Sequence, residues 1–388
     1  MLVLIVLLGL PYAWAPVYRF PNPAPFAGSH VYNPYAELHG TWRRANLHAH
    51  GTEWGGLTNG QQPSEDVART YRDLGYDIAG ISNYQSIAAH DGVDTLPLYE
   101  HGYNISKRHQ LAIGARHVEW FDFPLWQALS HEQFIINRVR ETADLVGLTH
   151  PVSRDAYTDD NLHYLTGYHL IEVVNGPFAA DEPWDAALSS GRLVWAMAND
   201  DTHDTDDPRR TAMAWNMIDA TSTSAPDVVS ALRAGRSYAV GRKDEGPADE
   251  APPDVDTRVT AVAFENGTLS VSTEGAPADI EFIGQQGQRR NKVHRVVGAS
   301  YKIQPADTYV RTVIHTPRTT IFLNPVVRYD GTSLPSPVAS VDDVMTWTAR
   351  GAETVALVVA AIVLWPRRRV AAPQASSPRL AETDRETA

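Results

Sequence analysis

Apolar residues are concentrated at the two ends of the chain and recur rhythmically between them. Residues 1–10 are almost entirely apolar, and residues 354–365 form a second dense apolar run that ends at Pro366, Arg367, Arg368 and Arg369. Between Trp42 and Gly241 two kinds of stretch alternate. Residues 44–48, 77–82, 110–113, 146–149, 170–174 and 193–198 read as strands, whereas 64–74, 131–144 and 184–190 carry the spacing of amphipathic helices. Alternating strands and helices predict a parallel sheet. After residue 256 the rhythm changes to short alternating runs at 259–264, 268–272, 280–283, 309–314 and 320–323, separated by Gly, Pro and Asn. That pattern predicts a small all-β sandwich.

Composition between these blocks sets the organisation. Residues 20–41 are Pro-rich, with Pro21, Pro23, Pro25 and Pro34 among aromatics, and read as an extended tether. Residues 243–256 collect Asp244, Glu245, Asp249, Glu250, Asp254 and Asp256 among prolines, the make-up of a solvated linker. The sandwich is expected over 257–330, a Ser/Pro tether over 331–346, a membrane helix over 347–365 and a disordered cytoplasmic tail over 366–388. The apolar run at 354–365 is short for a span, and 347–352 complete it; the arginines after it make a stop-transfer pattern, which places the central regions on the outer face. Residues 1–19 read as a signal sequence or an N-terminal anchor: Ala13-Trp14-Ala15 resembles a cleavage box, but no Lys or Arg precedes the apolar run and Pro16 follows it.

Charge and residue counts narrow the chemistry. The 388 residues carry a formal charge of −13, and no basic stripe marks the centre, which argues against a grip on nucleic-acid phosphates. Cysteine is absent, so disulfides, thiolate zinc sites and cysteine nucleophiles are excluded. A metal must then sit on His, Asp or Glu, and 15 histidines make that realistic.

Three histidine clusters each follow a strand-like run. In Asn46-Leu47-His48-Ala49-His50 the period of two puts both imidazoles on one side of a strand end. His150-Pro151 follows the run 146–149, with the proline fixing the chain's exit. Asp200-Asp201-Thr202-His203 follows 193–198 and offers a carboxylate and an imidazole two residues apart. In a closed α/β barrel such strand ends meet where active sites are built. His48, His50, His150, Asp201 and His203 are therefore expected to converge on a divalent cation, with His101, His109, His117 and His163 left as surface or packing residues.

These motifs resemble the polymerase and histidinol phosphatase (PHP) superfamily, metal-dependent phosphoesterases on a distorted (β/α)7 TIM-like barrel. The resemblance covers about residues 42–241. It rests on Leu47-His48-Ala49-His50, His150-Pro151, the Glu-x-x-Asn-Gly of Glu172 to Gly176, and Asp201-Thr202-His203. Departures accompany it. Ser82-Asn83-Tyr84 stands where the family usually has Thr-Asp-His, Trp54-Gly55-Gly56 where it has Ser-Asp-Gly, and Gly114-Ala115-Arg116 where it has Gly-x-Glu. The resemblance implies a site of one or two ions (Zn, Mn or Fe), with Glu119 displaced into the glutamate's role and His131 as a further ligand.

The activity implied is hydrolysis of a small-molecule phosphoester by metal-activated hydroxide, carried by His48, His50, Asp201 and His203. Arg116, Arg154, Arg209, Arg210, Asn83 and Tyr84 are the candidate substrate contacts. Two other readings stand beside it. One is a catalytically degenerate barrel serving as a binding or structural module in the cell envelope, favoured by Asn83 and Tyr84; the other is a carbohydrate- or amide-cleaving hydrolase on the same metal site.

Overall fold

The computed structural model of the chain describes residues 2–88, 96–243 and 257–364. The acidic linker from 244 on, Arg367 to Arg369 and the tail at 366–388 lie outside them.

Two sheets form the α/β part. Strands β1 (Trp42–Asn46) and β2 (Ile78–Ala79) pair in parallel, whereas β3 (Leu98–His101), β4 (Gln110–Ile113), β5 (Leu145–Leu148), β6 (Leu170–Asn175) and β7 (Trp195–Asn199) make a separate sheet in the order β7-β6-β5-β4-β3. Within that sheet β7/β6 and β5/β6 are parallel, but β3/β4 and β4/β5 are antiparallel. This departs from the all-parallel expectation. The link between β3 and β4 is too short for a crossover helix, which forces that pair into a hairpin.

The continuation after β7 also reverses. Strands β8 (Ala214–Asp219) and β9 (Ser237–Arg242) pair antiparallel, and β8 lies antiparallel to β1. The two sheets meet at two seams. At one, Glu100 N donates to Ser82 O at 3.2 Å and Gln85 N to Glu100 O at 3.0 Å. At the other the Asn216 side chain stands in for a peptide, accepting from Ala198 N at 2.9 Å and donating to Ala198 O at 2.7 Å. Among the described residues the strands therefore curl around one interior as two sheets linked at their seams by short bridges, Tyr84 to Glu100 and Ala49 to Thr202, in place of one continuous sheet.

Local sequence explains the packing. Helix α2 (Ser64–Asp73) buries Val67, Ala68 and Tyr71 on one face, and α3 (Leu129–Thr142) buries Ile135, Ile136 and Val139. Strand β5 is buried along its whole length, and a Cβ on Gly147 would lie 2.7 Å from Met197 Cε of β7, so any larger residue there would make the methionine end shift.

The β part is not a detached sandwich. Strands β10 (Thr257–Glu265), β11 (Thr268–Gly275) and β14 (Gly298–Lys302) make a three-stranded sheet. Its Val259, Val262, Leu269 and Val271 pack on Ile280, Phe282, Ile314 and Ile321 of the opposing layer. That layer consists of β13 (Gln288–Val296), β12 (Ala278–Gly284), β15 (Tyr309–His315) and β16 (Thr319–Tyr329), and β16 pairs directly with β9, Tyr238 opposite Leu323. One sheet thus runs from the sandwich into the α/β part, whatever the sequence linker between them. The Pro-rich stretch is also engaged: His30–Tyr32 adds a strand to β16, and Phe26 and Tyr35 are buried.

The two ends of the chain lie together. Helix α1 (Leu2–Trp14) packs antiparallel beside α6 (Asp343–Leu364); a Cβ on Gly9 would meet Leu357 Cδ2 at 2.7 Å, and Arg350 donates to Trp14 O at 2.6 Å. Helix α6 is long and apolar enough to cross a membrane. Tyr12, inside the apolar start, is buried in the globular core: its ring stacks on Trp126 at 4.0 Å and its hydroxyl donates to Trp126 O while accepting from Leu125 N and Trp126 N. Tyr12→Ala is expected to cost roughly 3 kcal/mol or more, and Tyr12→Phe about 1 kcal/mol, read as lowered melting temperatures of the full chain in detergent. An unchanged melting temperature for Tyr12→Ala would mean that the apolar start is dispensable to the fold.

Candidate metal centre

The first cluster is built where β1, β3 and β7 end. Beyond β1 the segment carrying His48 and His50 runs beside the one carrying Asp201 and Thr202: Asp201 N donates to His48 O at 2.8 Å and His50 N to Thr202 O at 2.9 Å. Asp201 and His150 both adopt left-handed backbone, with φ of 50° and 31°. Non-glycine residues hold that conformation only where their surroundings demand it, and such positions gather at functional sites. The neighbouring carboxyl, Asp200, turns the other way. It is buried, accepts from the backbone of Ala212, Met213 and Ala214 and from the Tyr71 hydroxyl, and burial pushes its pKa up to about 6.

Four side chains aim their ligand atoms at one point. His48 Nε2 lies 3.4 Å from Glu100 Oε2 and 3.2 Å from Asp201 Oδ1; His50 Nε2 lies 3.2 Å from each of the same two oxygens. All four atoms are buried, and among the described residues none has a hydrogen-bond partner. Buried polar atoms left without partners are costly, so four together imply something positive between them. The spacing agrees: an ion about 2.1 Å from each of four tetrahedral ligands sets them about 3.4 Å apart. Two imidazoles and two carboxylates are a donor set suited to a divalent transition metal.

Glu100 extends the arrangement. Its second oxygen, Oε1, is 2.8 Å from His109 Nδ1 and 3.0 Å from His150 Nε2. Glu100, His109 and His150 make a second group whose ligand atoms are close enough to share an ion. One carboxylate thus stands between two candidate positions.

A surrounding shell fixes the ligands. Glu172 Oε1 takes the His48 Nδ1 proton at 2.8 Å, while Oε2 accepts from His150 N at 2.7 Å and Asn175 Nδ2 at 3.0 Å. A carboxylate on the far nitrogen of a ligating histidine orients the ring and raises its basicity. Burial works against a charged His48, but Asp201, Glu172 and Glu100 together hold its pKa well above the ordinary value. Burial likewise opposes the charge on Glu100, and His109 and His48 outweigh it, keeping that carboxyl well below its usual range. Such a field favours positive charge at the centre. Glu172→Gln is expected to weaken metal binding about 10–100-fold, measured by competition with a chelator, because the His48 ring loses its anchor.

His203 flanks the cluster and is not one of the four. Its ring stacks on His50 at 4.4 Å, its Nδ1 donates to Asp201 O at 2.9 Å, and its Nε2 accepts from the Tyr84 hydroxyl at 3.2 Å. Burial and the nearby His50 lower its pKa to about 4. Tyr84 stacks on His50 at 4.3 Å.

Several expected residues lie elsewhere. Glu119 pairs with Arg138 at 2.9 Å, and His131 caps α3 by accepting from Ala128 N, with its ring against Phe123; neither joins the cluster. Arg116 pairs with Asp144 at 2.8 Å and bonds Glu141 O. Because β4 runs antiparallel to β5, Arg116 after β4 falls at the sheet end where β5 begins, opposite His150. Asn83 is spent on structure, accepting from Gly51 N and donating to Glu53 and Ser64. Arg154 bonds Ile105 O and Arg209 pairs with Asp207, whereas Arg210 lines a cavity of about 350 Å³ with His150, Asp201 and Lys107. Sequence reasoning missed Glu100 and treated His109 as packing. The signal available was His109 immediately before a strand, at the end that a reversed strand brings to the cluster.

No family profile and no curated protein matches the chain. Among solved structures the chain is similar to the crystal structure of a two-domain protein from Bacteroides vulgatus, described as containing a predicted PHP-like metal-dependent phosphoesterase, with 14% identity and a TM-score of 0.40 over 83% of this chain and 99% of that one.

Proposed function

We propose that this chain is a membrane-tethered, metal-dependent hydrolase acting on phosphoesters. One observation carries the reading: His48 Nε2, His50 Nε2, Glu100 Oε2 and Asp201 Oδ1 are buried, convergent and, among the described residues, without hydrogen-bond partners. The PHP-like motifs at His48, His150 and Asp201 support the choice of phosphoester. Helix α6 supplies the tether, and Arg367 to Arg369 after it favour placing the globular part on the outer face.

A divalent cation held by His48, His50, Glu100 and Asp201 would supply Lewis acidity toward water and phosphoryl oxygen. The chain's own groups supply the rest. Lys107 and Arg210, on the walls of the adjacent cavity, are placed to hold non-bridging phosphate oxygens. Glu172 keeps His48 in one tautomer, and the Nδ1 bond of His203 to Asp201 O makes its Nε2 the accepting nitrogen. The Tyr84 hydroxyl, which donates to that nitrogen, completes a short path for proton transfer at the cavity edge.

The test is metal content and turnover together. Full-length protein is expected to hold at least one divalent ion and to hydrolyse a generic phosphoester, with turnover lost on chelation and regained on adding metal. Asp201→Asn is expected to lower turnover at least about a hundredfold. Turnover that survives this substitution would remove the proposed centre. Metal binding without turnover of any phosphoester would instead favour the binding-module reading, to which the commitment of Asn83 to structural bonds lends some support.

A further inference from the structure

An exposed apolar track leads from the metal cluster to the N-terminal helix, its steps marked by contacts except between Tyr103 and Ile105, which are near neighbours in the chain. Tyr84, stacked on His50, accepts through its backbone oxygen from Trp54 Nε1 at 2.9 Å. The Trp54 and Trp120 rings meet at 5.6 Å, and the Tyr103 hydroxyl donates to Trp120 O. Ile105 N bonds Pro124 O, next to Leu125 and Trp126, and Trp126 stacks on Tyr12 of α1. Along this line Leu57 is 88% exposed, Ile105 63%, Trp120 56% and Trp126 55%. Isolated exposed apolar residues need no explanation, but a contiguous series ending in a cavity does.

That cavity, of about 580 Å³, opens beside the cluster and is lined by Trp54, Leu57, Tyr84, Tyr103, Trp120 and, at its edge, Lys107. Lys107 also lines the smaller cavity that holds Arg210, so one cation is shared by the apolar cavity and the polar one. Gln85 also lines this cavity, and its buried Oε1 has no hydrogen-bond partner among the described residues. The Trp54 and Trp120 planes cross at 71° and touch, which leaves no slot between them for a flat ring. The track instead continues to α1 and α6, whose apolar faces make them the membrane-facing part of the molecule.

We infer that the substrate is a phosphomonoester of a lipid alcohol, held with its phosphate at the centre and its apolar tail along this track into the bilayer surface. The inference rests on the hydrolase reading above. Water oxygen bonds to phosphorus, the bond from phosphorus to the lipid oxygen breaks, and that oxygen takes a proton, so a lipid alcohol and inorganic phosphate are released. Trp and Tyr suit the position because their amphipathic rings settle at the headgroup level of a membrane.

The experiment uses the full chain in phosphatidylcholine vesicles with manganese. Dioleoylglycerol phosphate in the bilayer is expected to be turned over with a kcat/KM at least about tenfold above that of soluble glycerol phosphate. The double variant Leu57→Ser, Trp120→Ser is expected to lower the ratio of the two at least about tenfold. A ratio that does not move, or a preference for a hexose phosphate, overturns the lipid assignment. Turnover of neither substrate sinks the hydrolase reading, and the lipid substrate with it. A separate measurement keeps the surface falsifiable: phosphatidylcholine brominated near the headgroup should quench tryptophan emission, and less so in Trp120→Phe, Trp126→Phe. Equal quenching in the wild type and this variant would mean that the track does not touch lipid.

Discussion

Glu100→Gln is expected to lower the divalent-metal content of the purified protein at least about tenfold and to abolish phosphoester turnover. The reason lies in its two oxygens, one facing His48 and His50 and the other His109 and His150. The substitution keeps the shape of the side chain but removes the charge that a cation would share, and it places an amide donor among imidazoles. Outer-shell partners of metal ligands already contribute 10–100-fold in affinity, and a group serving two positions should contribute more. Elemental analysis after dialysis reads the result. Glu119→Gln is the control, because Glu119 is held by Arg138. If both variants keep their metal, or both lose it, Glu100 is not the shared ligand.

The largest effect on stability is expected at a distance from the centre. Asp185→Ala should cost about 3–5 kcal/mol, because it removes the bidentate partner of a buried guanidinium and leaves Nε with no carboxylate. Arg311 of β15 reaches helix α4 (Glu182–Ser189), donating through Nε to Asp185 Oδ1 at 2.8 Å and through Nη2 to Oδ2 at 2.5 Å; Asp181 lies 2.7 Å from the same Nη2. Burial opposes the charge on Arg311, and the two carboxylates more than offset it, raising its pKa. Asp185 also accepts from the Tyr309 hydroxyl at 2.8 Å. These bonds join the α/β part to the sandwich. Replacing both partners by Asp185→Leu and Arg311→Met should cost far less than the single change. Urea unfolding of the full chain separates the two, and a single variant as stable as the wild type would show that the junction does not depend on this pair.

The metal centre was only partly legible along the chain. His48 and His50, spaced by two, and Asp201 after an apolar run stand out because period and residue type are local properties. Glu100 lies in Leu98–His101, a strand the pattern did not reveal, with a glutamate and a histidine among its four residues. His109 precedes its strand, and because β4 runs in the opposite sense its N-terminal end lies where the other strands finish. Glu119 and His131 were suggested by a motif order that this chain's loops do not follow. Strand β13, rich in Arg, Lys, Gln and Asn, was equally hidden, since an edge strand is held by its neighbour's backbone and not by its own apolar face.

The sequence by itself determined the apolar ends, the alternation of elements, the β-rich second half and the histidine-and-aspartate character of the site, because each depends on residues close together in the chain. The tertiary structure decided strand direction, the division of the strands into two sheets, the sheet shared by both halves and the position of Glu100, not Glu119, beside the histidines. Those outcomes depend on which strand edges meet. Pairing energy accrues between segments far apart in the chain, and a reversed strand exchanges the end of the sheet at which each of its flanking side chains appears.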